Sequence, residues 1–246
     1  MFILAGISIL ILGLYIGSFV TAVAFRIASE EKTFVLRSKC DNCEVVLSFL
    51  HLIPILGYIL CKGKCIKCKK SISIKYTIWE VLHGCAYLLN FYVFQNNMLA
   101  FFLFCSVTSI LFLISIIDIQ VMYIYDIHII ILFIFFVGFL YSVGELKITP
   151  FSFIKAGIPL CFKVLYENIR TKITKEKVIV IGIGDIKLFT ILFFLLDFSK
   201  SIMIILEAGL IGMLFGLLKR QVDDNHYPFI PSISLSLYTL FIWVFL

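Results

Sequence analysis

Apolar runs near membrane-spanning length follow one another along this chain with little between them, and that succession restricts the fold more than any other feature. A helix needs about 20 apolar residues to cross a bilayer. Within lipid every backbone polar group must be satisfied internally, and repeated apolar runs near spanning length read as helices. The runs fall at about 2–25, 77–94, 98–117, 127–143, 150–162, 179–197, 201–218 and 228–246. The fifth is short and contains Lys155, Gly157 and Pro159. The pattern predicts an all-α polytopic membrane protein of about eight transmembrane helices. Composition agrees, because 62% of the 246 residues are hydrophobic, which leaves too little polar surface to cover a soluble domain. The first run is long, lacks a basic lead-in and enters Gly17-Ser18-Phe19 without a small-residue cleavage site, so it reads as a helix that stays rather than a signal peptide.

In such a chain the net charge of +6 says nothing for nucleic acid, and the partner it implies is the lipid bilayer. The placement of Lys and Arg instead reports orientation. Segment 26–75 holds 10 of the 21 basic residues; Lys163, Arg170, Lys172, Lys175 and Lys177 follow the fifth run, and Lys219 and Arg220 follow the seventh. Eight spans place all three segments on one side, the cytoplasmic one, with both termini outside. The opposite loops keep only Lys147 and Lys200. The same threading brings Asp118, Asp126 and Asp185 to the cytoplasmic edge. Omitting the fifth span would separate Asp185 from Asp118.

The chain then divides into a first helix (1–25), a Cys-rich cytoplasmic loop (26–76) and a seven-helix membrane domain (77–246). The loop carries Cys40-Asp41-Asn42-Cys43 and Cys65-Ile66-Lys67-Cys68, with 21 residues between the pairs. Two C-x-x-C knuckles at this separation predict a tetrahedral zinc site. Disulfides are the rival reading, and a reducing cytoplasm disfavours them. Metal binding would supply on the order of 10 kcal/mol of folding free energy to a loop with little core of its own. The apolar stretch 47–60, broken by Pro54 and Gly57, suits a segment lying on the membrane. Cys61 is a stray candidate ligand, and Cys85, Cys105 and Cys161 read as packing residues within spans.

The chemistry-bearing stretch is Gly182-Ile183-Gly184-Asp185-Ile186-Lys187, set in the sixth run. Ionisable side chains in or beside hydrocarbon are costly and therefore point to function. The plain reading of Asp185 is an acid favoured by a helix N-terminus. Asp118 and Asp126, at the exit of another run, add a second acidic site, and two membrane-edge carboxylates from distant helices suggest an aspartyl protease pair. Glu80 either caps its helix start or contacts the site, and Glu207 faces neighbouring helices. The histidines at 51, 83, 128 and 226 lack ligand spacing. No Ser-His or Cys-His arrangement and no phosphate-cradling loop stands out; Gly182-x-Gly184 lacks the third glycine of a dinucleotide site.

Taken together, these residues resemble the type IV prepilin peptidases, bifunctional leader peptidase/N-methyltransferases of the GxGD aspartic type. The resemblance runs nearly end to end: Gly17-Ser18-Phe19 with Arg26, both knuckles, Ile53-Pro54, Gly63-Lys64-Cys65, Ile72-Ser73-x-Lys75-Tyr76 with Glu80, Asp118 with Asp126, Gly182-x-Gly184-Asp185-x-Lys187, and Tyr227-Pro228-Phe229-x-Pro231. It implies catalytic Asp118 and Asp185, with Gly182, Gly184, Lys187, Asp126 and Glu80 in support. It also implies a structural zinc on Cys40, Cys43, Cys65 and Cys68 and a location in the bacterial inner membrane. The implied substrates are prepilins and pseudopilins of pilus assembly or protein secretion, cut on the cytoplasmic side just after a Gly, with the new N-terminus methylated from S-adenosylmethionine. The chain departs from the family pattern at Thr21 and Leu52, where Asn is usual, and at Tyr125, where Pro is usual. The first two bear on methylation, the third on the turn after Asp118. Other readings predict different things. A cation-coupled transporter places its acids near the midplane on broken helices, and a zinc-folded membrane scaffold tolerates loss of either aspartate. Presenilin-like proteases share GxGD but not the zinc loop.

Overall fold

Helices form where the apolar runs fall. The computed structural model describes residues 2–29, 40, 43, 45–46, 52–174, 182–218 and 228–246. Among these the helices are α1 (Phe2–Ala28), α2 (Leu56–Leu60), α3 (Lys75–Phe94), α4 (Met98–Val121), α5 (Asp126–Ser142), α6 (Pro150–Thr174), α7 (Ile183–Leu195), α8 (Phe198–Leu218) and α9 (Ile230–Phe245). Among the described residues β pairing is confined to isolated bridges, such as that of Lys64 with Ser71. The described residues therefore form an all-helical fold. On length and composition α1, α4 and residues Phe198–Leu217 of α8 each suffice to cross a membrane, while α5 and α9 are apolar but shorter.

Several helix ends differ from the sequence reading by a few residues, and two of the differences bear on the site. The fifth run was expected to end at 162, but α6 continues to Thr174 through Lys163, Glu167, Arg170 and Lys172. Lys163 and Glu167, one helical turn apart, approach to 3.8 Å and help carry the helix beyond its apolar part. The sixth run was expected from 179; residues 179–181 lie outside the described part, and α7 begins at Ile183. Of the stretch 47–60, residues 47–51 are likewise outside. The rest forms a turn and the short α2, with Leu56, Ile59 and Leu60 exposed. Gly57 sits inside α2 rather than breaking it.

The chain divides into two compact units, residues 1–121 and 122–246. In the first, α1 packs closely on α3 and also meets α4. The contact works because α1 turns Gly13, Gly17, Thr21 and Ala24 inward. A Cβ on Gly13 would lie 2.7 Å from Tyr87 Cβ, and one on Gly17 2.7 Å from His83 Cβ, so only glycine allows this approach. Polar side chains of α3 reach both α1 and α4. His83 Nδ1 meets the Gly13 carbonyl at 3.0 Å and its Nε2 meets Ser109 Oγ at 3.1 Å. Tyr87 shares Ser109, and Asn90 donates to Thr108 at 3.1 Å. His83 is thus a structural residue, which fits the absence of ligand spacing among the histidines.

In the second unit α7 is the inner element, burying Ile186, Leu188, Phe189, Leu192, Phe193 and Leu195 and packing along α6. Its C-terminal carbonyls find side-chain donors, as such orphan groups must. The buried Lys155 Nζ donates to Leu196 O at 2.7 Å, and Ser201 Oγ donates to Leu192 O at 3.2 Å. Lys155, which made the fifth run look doubtful as a span, serves as this cap. Glu207 also gains a partner that the sequence could not name: Thr239 Oγ1 of α9 donates to it at 2.6 Å.

Candidate active site and metal centre

The first turn of α7 explains both glycines of its motif. Gly182 is the N-cap residue, and Ile186 N donates back to its carbonyl at 3.3 Å. Asp185, in the first helical turn, lies over Gly182, so that a Cβ there would sit 3.1 Å from Asp185 Oδ2. Any side chain at 182 would push the carboxylate aside. A Cβ on Gly184 would sit 2.7 Å from Ile124 Cδ1, against a residue that is itself buried. The turn before α5 and the first turn of α7 therefore touch through the missing side chain of Gly184. An ion pair from Lys187 Nζ to Asp126 Oδ1 joins the same two elements. Asp185 is half-buried at a helix N-terminus, where the dipole favours an acid.

Asp118 occupies the opposite kind of position, in the last turn of α4 in the first unit. It is only 6% exposed and follows the buried Ile116 and Ile117. Burial and the negative end of a helix both make a carboxylate costly there, so packing alone does not account for it. After α4 the chain turns at Met122, which takes a positive φ of 52°, and reaches Tyr125 with φ −79°. A proline would tolerate that angle, so the Tyr125 departure leaves the turn's backbone in the form the family's residue would adopt.

Glu80 does not cap its own helix. Its Oε2 accepts from the Ile55 backbone N–H at 3.0 Å, tying the Pro54 turn of the Cys-rich loop to α3. Ile55 has φ 62°, a strained conformation for a β-branched residue. The hydrogen bond accepted by the carboxylate helps hold that turn, beside the backbone bonds from Leu56 N to Pro54 O and Gly57 N to Ile53 O.

Cys40, Cys43, Cys65 and Cys68 converge, with all four sulfurs within 4.8 Å of one another. The Cys40–Cys68 and Cys43–Cys65 separations are each 3.8 Å. A tetrahedron of thiolates about 2.3 Å from zinc has edges of about 3.8 Å, so the donor set fits a structural zinc with no position left open. Each knuckle is turned by its backbone: Cys40 N donates to Val45 O, and Cys65 N to Lys70 O. The backbone at Lys70, with the neighbouring thiols, holds Cys68 down to about 6. Cys43, although its bond with the Val45 backbone lowers it, is pushed up to about 11 by desolvation and the other thiols. Cys61 is half-buried and outside the cluster; Cys105 is buried as expected, whereas Cys85 and Cys161 lie on exposed faces.

Thr21 is buried in α1 and Leu52 is half-buried. A groove of about 580 Å³ between α1 and α3, lined by Phe2, Gly6, Leu10, Cys85, Leu88 and Phe91, is apolar throughout. Its lining offers no polar partner for the ammonium, carboxylate or adenine of S-adenosylmethionine. Sequence reasoning missed Ile124, Lys155 and Thr239. Only Lys155, a cation within an apolar run, carried a signal.

A helical, strongly apolar chain with a four-cysteine cluster and carboxylates at its helix ends has the character of a membrane protein with a cluster able to hold a metal. The comparisons refine that class. Residues 11–94 match the Bacterial Peptidase A24 N-terminal domain and residues 105–217 the Type IV leader peptidase family. The prepilin leader peptidase/N-methyltransferase of Bacillus subtilis (strain 168) is 31% identical over 229 residues, covering 91% of this chain and 88% of the relative. The enzyme of the same name from Vibrio cholerae serotype O1 is 26% identical, covering 94% of each, and that from Neisseria gonorrhoeae is 25% identical, covering 94% and 88%. The chain belongs to the type IV prepilin leader peptidase family. No solved structure matches it.

Proposed function

We propose that the protein is an aspartic endopeptidase of the inner membrane that removes the leader of type IV prepilins or pseudopilins on the cytoplasmic side, just after a Gly. The reacting groups in this reading are Asp118 and Asp185. Family membership supports the substrate class, and the buried Asp118 in the last turn of the apolar α4 is the observation that carries the mechanism. Two carboxylates sharing a site hold one proton between them. The ionised one takes a proton from water as the water oxygen attacks the scissile carbonyl, and the protonated one hydrogen-bonds the carbonyl oxygen. The C–N bond then breaks as the leaving amine takes a proton, with no covalent enzyme intermediate. Gly182 and Gly184 serve by leaving room for Asp185 and for Ile124.

In this reading eight helices cross the membrane, α1 and α3–α9, with both termini outside and the basic segments in the cytoplasm. The three-part division at 25/26 and 76/77 is retained: a first helix, a zinc-folded loop and a seven-helix peptidase domain. Zinc on the four cysteines folds the loop, and Glu80 secures it to α3. A strain lacking its own prepilin peptidase tests the reading. Expression of this chain should convert its prepilin to the mature size, and unprocessed prepilin beside well-expressed protein would overturn it.

Methyl transfer from S-adenosylmethionine to the new N-terminus is the second proposed activity, supported by family membership. Leu52 offers no hydrogen bond where the family has an amide, and Thr21 offers only a hydroxyl. A lost pair of hydrogen bonds costs about 1–3 kcal/mol, roughly ten- to a hundredfold in rate. Slow methylation beside robust cleavage is the expected result. Thr21→Asn with Leu52→Asn should raise the methylated fraction, read by intact mass, and leave cleavage unchanged. Complete methylation by the unmodified chain, with no gain in the double variant, would remove both positions as determinants.

A further inference from the structure

We infer that Asp126 and Lys187 are positioning residues for Asp185, acting through an ion pair that fixes the first turn of α7 against the start of α5. The inference rests on the reading of Asp185 as a reacting carboxylate. A helix start containing Gly182 and Gly184 has more backbone freedom than any other sequence there would give. Two contacts oppose that freedom: Ile124 fills the space left by Gly184, and Lys187 reaches Asp126. They are adjacent in both elements, since Ile124 and Asp126 flank the entry to α5 while Gly184 and Lys187 flank Asp185.

The charges suit a latch. Lys187 lies near the N-terminal end of α7, where the dipole disfavours a cation, so an anion beside it is favourable twice. Asp126 opens α5, where the dipole favours an anion. Neither belongs with the proton-sharing pair: the Asp126 side chain is 70% exposed and already holds an ammonium, whereas Asp118 is 6% exposed. An ion pair with this exposure adds little to stability. Its effect is on geometry, where a displacement of about 1 Å at the reacting group costs up to about a hundredfold in rate. This sets the two acidic residues apart, Asp118 in the last turn of α4 and Asp126 at the start of α5.

The test uses the full-length protein in liposomes with a prepilin substrate. Asp126→Asn and Lys187→Met should each lower kcat about tenfold with KM little changed, as expected of misplacement rather than lost binding. Combining Asp126→Lys with Lys187→Asp should restore most of the rate. Amide hydrogen exchange of residues 183–186 should speed up in both single variants and slow again in the exchanged pair. That recovery is a readout a merely structural residue would not give. Wild-type kcat and exchange in both single variants would make the pair an idle surface contact. A dead Asp126→Asn with unaltered exchange and no recovery on charge exchange would make Asp126 a reacting group, and the inference would fail. Absence of wild-type cleavage would instead overturn the functional reading, and the exchange rates alone would then decide whether the latch exists.

Discussion

Replacing either Asp118 or Asp185 by Asn should abolish leader cleavage, lowering the rate by at least about 10²–10⁴-fold, the usual worth of a positioned acid or base. In the proposed mechanism both residues serve one proton-sharing unit, so the double variant should be no worse than either single one. Insertion and helix content should survive, because removing a charge from an apolar setting relieves a cost instead of breaking a support. Initial rates on purified variants, with circular dichroism as the folding control, measure this. Turnover near that of the wild type in either variant would withdraw that residue from the mechanism.

The second large effect concerns the cysteines. Freshly purified protein should contain one zinc, and Cys65→Ser should weaken its binding on the order of a hundredfold, since each of four thiolates carries a share of about 10–16 kcal/mol. Residues 52–72 should then become protease-sensitive, because the knuckle turns and the strained Ile55 turn have little apolar core beneath them. Binding depends on pH in a definite direction. With Cys43 pushed up to about 11, metal loading at neutral pH must displace its proton, whereas Cys68, at about 6, is already mostly thiolate. Loading should therefore release protons and tighten as pH rises, and acid should strip the metal. Metal analysis of never-chelated protein that finds no zinc would contradict the assignment.

Much of this was legible in the sequence because the strongest signals were long or repeated. Runs of apolar residues predict helices without any tertiary knowledge, and two C-x-x-C pairs define a ligand set by spacing alone. Legibility failed where a partner lay far along the chain. Nothing local says that Gly184 is small because Ile124 lies against it, that Glu80 reaches the Ile55 amide, or that Thr239 answers Glu207. The end of α6 was misjudged for another reason: apolarity stops near 162, but helix propensity and the Lys163–Glu167 spacing carry the backbone on to Thr174. Tyr125 shows the converse case, a departure at a position whose φ of −79° a proline would also adopt.

The most direct measurement is the mass of the products when the purified protein acts on an intact prepilin, with the Asp185→Asn variant beside it. A released leader ending in Gly and a pilin beginning at the next residue are expected, both absent with the variant. Intact prepilin after incubation with the wild-type protein, or the same two products from Asp185→Asn, would contradict the proposed function.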